Sequence, residues 1–285
     1  MNHSVSLQAT NPINVRHMEF KFPDNTPKYF AFDNPVATAL FVVLSGIFPD
    51  GERFFVDSLR NLRDQTDDVE LKKQIQGFIG QEAMHGREHQ RFNQTLRKLG
   101  FDVDTPTRLI NFSLGILRKL PKKQQLGCTV AMEHFTAKLA IQWLTFEKLK
   151  TLSDSETMNI WQWHALEELE HKNVSFDLYQ QINADSQLQR LISFTAVYSL
   201  ILPASIIAWF IVAYKDGCFK NLPLAMEGIK LSLEFIQPVF KSSSEFLNAN
   251  FNPRNDNTEQ LELEYREFLL GENGVLNSIY KNKAN

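Results

Sequence analysis

Two short segments do most to restrict how this chain can fold: QEAMHGREHQ, residues 81–90, and WQWHALEELEHKN, residues 161–173. Each carries a glutamate followed three residues later by a histidine, Glu82 with His85 and Glu168 with His171. Side chains on a helix turn by about 100° per residue, so positions three, four and seven apart share one face. His89 therefore joins the Glu82 face and His164 joins the Glu168 face. A single Glu-x-x-His pair is usually a solvated helix surface. Two of them, each with an extra histidine, point to helices that face one another across a metal site. Imidazole with carboxylate suits iron, manganese or zinc, and no thiolate contributes, which argues against a structural zinc site.

Two further glutamates complete the set. Glu52 lies in FPDGERFF and Glu133 in AMEHFTAKLA, both among apolar and small neighbours where an unpaired charge is costly. The order Glu52, Glu82/His85, Glu133, Glu168/His171 is the ligand pattern of four-helix carboxylate-bridged dinuclear proteins. The metal ligands expected are Glu52, Glu82, His85, Glu133, His164, Glu168 and His171. Glu167 shares the His164 face almost as well as Glu168, so the wheel alone leaves the choice between them open. Glu167, His89 and His134 are expected to support ligands by hydrogen bonding, with direct ligation by His89 an open alternative. Glu88 and Glu170 read as solvated charges.

Helical periodicity runs through most of the chain and alternating strand patterns are almost absent, so the fold class is all-α. A polar lead-in over 1–34, broken by prolines, precedes a metal-binding bundle over 35–185 and additional helices over 186–285. Pro49 is placed in the first turn of a new helix, a position its fixed φ suits. Gly100 closes the second long helix. The third long helix is expected from Pro121 to about Leu152. SDSE supplies an N-cap serine and a capping box for the fourth, to about Ile182. From Leu191 to Tyr214 no charged, amide or histidine side chain appears. That length allows a membrane span, a membrane-surface or substrate-related helix, or a buried helix.

Formal charge is −3, so there is no electrostatic footprint for nucleic acid. Cys128 and Cys218 lie far apart and read as reduced thiols. The amino terminus lacks the apolar core of a signal peptide, which places the chain in the cytoplasm, with membrane association through 191–214 as an open addition.

Taken together, FPDGERFF, QEAMHGREH, MEHFTA and WQWHALEELEHK resemble the family of predicted metal-dependent hydrolases in the ferritin-like superfamily. The lead-in VRHMEFKFPDNTPKYF resembles that family's opening, so the likeness spans about residues 13–240. It implies a ferritin-like four-helix bundle with a dinuclear centre. The pattern His164-x-x-x-Glu168-x-x-His171 is also similar to that of the di-iron arylamine N-oxygenases. That similarity implies a third imidazole and puts His164 beside His171 on one metal.

Three activities fit these residues. A di-iron or di-manganese oxidase or oxygenase acting on O₂ and a small, hydrophobic substrate is the first expectation, with iron as the metal and the electron donor unidentified. A hydrolase using two metal ions, zinc among them, to activate water is the alternative. Iron oxidation or storage without an organic substrate is the third, and the long chain beyond the bundle argues against it. The 23 phenylalanines suit an apolar substrate as well as an ordinary core. A homodimer is a further expectation.

Overall fold

The computed structural model of the protein describes residues 13–281. The first part of the 1–34 lead-in, including Pro12, lies outside the described residues. Among those described there is no β-strand beyond one isolated antiparallel bridge, Met18 to Tyr280, and the chain is all-helical.

Four long helices surround the site. They are α1 (Pro35–Arg60), α2 (Val69–Lys98), α4 (Lys122–Thr145) and α6 (Ser155–His171), with α3 (Asp104–Leu117) following α2. Helix α1 packs mainly on α2, and α4 on α6. Asn34 caps α1, its side-chain oxygen accepting from the backbone N–H of Val36 and Ala37, and Pro35 occupies the first turn, where no N–H is needed. Asp68 caps α2 in the same way.

The helix boundaries correct several expectations. Pro49 does not start a helix; it lies inside α1. A proline there removes one N–H and frees the carbonyl of Ser45, four residues back. Asn93 Nδ2 of α2 takes that carbonyl at 2.9 Å, so the break in the hydrogen-bond ladder becomes a crosslink between α1 and α2. The third long helix stops at Phe146, and a short α5 (Glu147–Leu152) follows. The fourth stops at His171, and α7 (Val174–Gln181) continues after a brief break. The N-cap of α6 is Asp154, not Ser153, whose hydroxyl instead accepts from the backbone N–H of Phe32.

Beyond the four helices lie α8 (Gln187–Lys215), α9 (Leu222–Ser243) and α10 (Glu259–Leu270). Helices α8 and α9 both pack on α1 and α4, and α8 also lies along α3. Helix α10 packs on α6. One apolar core runs from Met18 through Trp143 and Trp161 to Leu276, so the carboxy-terminal helices share the interior of the bundle. The lead-in crosses α2 at Gly77 and Gly80. A Cβ on Gly77 would come within 2.7 Å of Ile13, and one on Gly80 would overlap Val15, so only glycine admits this close approach.

Helix α8 is the one described helix long and apolar enough to cross a membrane. It is not a buried helix, since only 22% of its most apolar stretch is covered by the protein.

Candidate metal centre

The bundle brings Glu52 from α1, Glu82 and His85 from α2, Glu133 from α4, and His164, Glu168 and His171 from α6 into one fully buried cluster. It has two overlapping halves. In one, Glu82, His85, Glu168 and His171 offer ligand atoms within 4.8 Å of one another. In the other, Glu52, His85 and His164 do the same. Glu133 adjoins the first half, with its Oε2 3.3 Å from His171 Nδ1. Glu168 Oε1 lies 3.0 Å from His164 Nε2, 3.7 Å from His85 Nδ1 and 3.8 Å from His171 Nε2. It stands between the halves, where a bridging carboxylate belongs.

This arrangement separates His164 from His171. His164 groups with Glu52, while His171 sits between Glu82 and Glu133. Likeness to the N-oxygenases implies both histidines on one metal; in this chain Glu168 Oε1 lies within 3.8 Å of both rings, while the converging ligand atoms group His164 with Glu52 and His171 with Glu82.

Behind the ligands, hydrogen bonds set which ring nitrogen faces inward. Asn93 Nδ2 donates to the Ser45 carbonyl, which leaves Asn93 Oδ1 to accept from Ser45 Oγ at 2.8 Å. The Ser45 hydroxyl proton is thereby used, and Ser45 Oγ accepts from His89 Nδ1 at 3.0 Å. His89 Nε2 then accepts from His164 Nδ1 at 2.8 Å, which turns the lone pair of His164 Nε2 toward Glu52 and Glu168. His89 thus has both ring nitrogens engaged in holding His164, and it lies outside both groups of converging ligand atoms. Burial holds its imidazole well below the ordinary range, as a neutral ring in this relay requires. Phe48 closes on both rings, its centroid 5.1 Å from His89 and 4.9 Å from His164.

His85 is set from the other side. Glu167 Oε2 stands 3.1 Å from His85 Nε2, while Glu167 Oε1 accepts from Arg16 at 2.9 Å and from Trp163 Nε1 at 2.9 Å. Glu168 therefore faces the cluster and Glu167 faces its back, which resolves the choice the helical wheel left open. Such carboxylate–histidine pairs fix the tautomer and raise the basicity of a ligating imidazole.

Arg16, Ser45, Asn93 and Trp163 were not legible as site residues. Ser45 and Asn93 do leave a trace, since a proline four residues after Ser45 predicts a carbonyl in search of a donor. Two charges read as solvated are buried. Glu170 is bound by Arg16 at 2.7 and 2.8 Å, by Arg266 at 2.9 Å and by Gln81 at 3.0 Å. Glu88 accepts from Arg87, Arg91 and the backbone N–H of Phe20. His134 stands apart from the cluster. Its Nε2 lies 3.2 Å from the Ser242 carbonyl, and its ring packs on Phe251, so it ties α4 to the segment after α9.

The donor set fits metal ions. Both oxygens of Glu52, Glu82 and Glu133, Glu168 Oε2, His85 Nδ1 and both nitrogens of His171 are buried without a hydrogen-bond partner. Burial, then the charge of Glu168, pushes the Glu52 and Glu82 carboxyls well above their usual range. Burial likewise lifts Glu133 to about 7, against the pull of His171. Carboxylates crowded in this way are stable as anions only beside cations, because desolvating each ion costs several kcal/mol.

A family model described as a predicted metal-dependent hydrolase matches residues 14–257, most of the chain. The chain belongs to the family of predicted metal-dependent hydrolases. The matched span contains every residue of the cluster and its supporting hydrogen bonds, from Arg16 to His171. It also takes in α8 and α9, so these helices are part of what defines the family. No curated protein and no solved structure gives a significant match. The family and the cluster together make the chain a metal-dependent enzyme with a site able to hold two ions.

The cluster opens into an apolar cavity of about 320 Å³. Glu52, His164 and Glu168 form its polar end, while α1, α3, α4, α8 and α9 supply apolar walls.

Proposed function

We propose that this member of the family hydrolyses an ester- or amide-type bond in an apolar small molecule, using two metal ions in the buried cluster. The observation that supports it most is the polar end of the cavity: two carboxylates and an imidazole of the cluster face an otherwise apolar space. Glu82, His85, Glu133 and His171 would hold the inner ion and Glu52 and His164 the outer one, with Glu168 between them. Two such ions activate water and polarise a carbonyl oxygen. Glu52, on the cavity side with both oxygens unpartnered, would give one oxygen to the outer ion and use the other to take the proton from the attacking water and return it to the leaving alcohol or amine. The apolar walls hold the rest of the substrate and keep bulk water out.

A second reading is O₂-dependent oxidation with iron in the same ligands. The specific observation for it is the donor set, in which His85, His164 and His171 make the cluster rich in nitrogen. The ferritin-like character of the bundle, a cytoplasmic location and a dimeric state belong to the same proposal, resting on ligand order and composition.

The deciding experiment loads the purified protein separately with Zn(II), Mn(II) and Fe(II) under nitrogen and offers p-nitrophenyl esters of increasing acyl length. Metal content is measured in parallel. Anaerobic ester cleavage at two ions per chain, abolished in Glu168→Ala, is the expected result. Turnover only with iron, accompanied by O₂ consumption at an oxygen electrode, would transfer the assignment to the oxidative reading. A folded protein that retains no metal would remove both.

A further inference from the structure

We infer that α3, α8 and α9 form a docking face for an anionic lipid bilayer, and that the cavity receives its apolar substrate chain from that bilayer through a mouth between α8 and α9. The substrate class rests on the metal-centre reading above; the docking face does not.

Helix α8 supplies the first half of the case. Its exposed stripe carries Ile192, Thr195, Ser199, Pro203, Ile206 and Phe210, with no charge. Ile206 is 54% exposed and Phe210 60%. Its opposite stripe is tied to the bundle along its whole length. Gln124 donates to the Gln189 carbonyl, Ser113 to the Leu200 carbonyl, and Trp209 Nε1 donates to the Val36 carbonyl. A helix held lengthwise on a bundle cannot cross a bilayer alone, but half-exposed it can lie in the interface. Helix α9 continues the surface with Leu222, Met226, Ile229 and Leu233, and α3 adds Phe112, 71% exposed. A connected apolar surface of this kind marks a partner site in a soluble protein.

Charge selects the partner. The whole chain is net acidic, yet residues 105–132 and 187–215 contain no Asp or Glu. Arg108, Arg118, Lys119 and Lys122 lie in the first stretch, at and just beyond α3, while Lys215 at the end of the second is paired with Asp102 and α9 balances Glu227 and Glu234 with Lys230 and Lys241. A basic margin along the α3 side of an apolar face complements anionic headgroups.

The cavity joins the face to the chemistry. Ile206 of α8 and Leu233 of α9, 54% and 52% exposed, belong both to the surface and to the cavity wall. Helices α8 and α9 each pack on α1 and α4 but scarcely on each other, which leaves the mouth between them. From it the wall runs past Leu114 and Ile236 to Glu168. A chain leaving a bilayer by this route stays in apolar surroundings until its polar group meets the cluster.

The test is co-sedimentation of the full, metal-loaded protein with phosphatidylcholine vesicles containing about one-third phosphatidylglycerol. Binding that weakens at high salt, and falls at least tenfold in Ile206→Glu/Phe210→Glu and in Met226→Glu, is expected. The variants should keep the wild-type metal content, which shows that the site has folded. In vesicle-free samples of the same protein cis-parinaric acid should fluoresce on binding, and Ile236→Trp should abolish that signal while leaving sedimentation with vesicles unchanged. No sedimentation, or sedimentation indifferent to the variants, overturns the docking face. So does analytical ultracentrifugation showing that the wild type is a dimer which the variants dissociate. Vesicle binding without parinaric acid binding overturns the substrate route. Vesicle binding by a chain that takes up no metal leaves docking standing and removes only the metal-centre reading.

Discussion

His164 is useful to the site only while its proton stays on Nδ1. Three residues secure that, from Asn93 through Ser45 to His89, and each step follows from the donor before it. Removing one link should therefore act on metal binding more than on folding. His89→Ala is expected to weaken the outer ion by about 10–100-fold, the usual cost of losing a ligand's hydrogen-bond partner. Isothermal titration should show the first ion bound nearly as before and the second much more weakly. His89→Gln, which can still accept at its amide oxygen, should recover part of the loss. Equal weakening of both ions would mean that His89 supports the whole cluster and not His164 in particular.

At the scale of elements, the lead-in does unexpected work. By sequence it is a polar segment rich in proline, yet Arg16 within it holds both Glu167 behind His85 and Glu170 on the same helix. The segment reaches that position because Gly77 and Gly80 leave α2 without side chains where it crosses. Gly80→Ala is expected to push Val15 away and to cost about 1–3 kcal/mol, as overpacking does. Thermal unfolding measures this, and an unchanged midpoint would show that the lead-in adjusts freely. Pro49 teaches a related lesson. Its ring was read as a helix start because proline suits a first turn. In α1 the freed Ser45 carbonyl finds Asn93 instead, and a side chain 48 positions away decides whether the helix stops or continues.

For the whole molecule, burial governs the chemistry of residues outside the site as well. Cys128 and Cys218 are both buried and unpaired, and desolvation pushes each thiol up to about 12. Since the thiolate is the reactive form, neither should be alkylated by iodoacetamide at pH 8 in the native protein. Both should react in guanidinium, and mass spectrometry reads the difference directly. Rapid native labelling of either thiol would mean that its helix opens.

The amino-acid sequence by itself determined that the chain is helical and that five residues at helical spacing, with two apolar-flanked glutamates, could converge. The 3.6-residue period is a local property, visible wherever Glu and His recur three and four apart. What lies behind a helix is not local. Glu167 and Glu168 are nearly equivalent on the wheel, and only the packing of α6, with Arg16 behind Glu167 and Glu82 and His85 in front of Glu168, separates their tasks. Glu170 looked solvated for the same reason, because its three partners come from the lead-in, α2 and α10. The apolar run 191–214 was legible as a long helix. That one stripe of it would be bound to the bundle, and the other left facing outward over the mouth of a cavity, was decided by tertiary contacts between residues 65 to 173 positions apart.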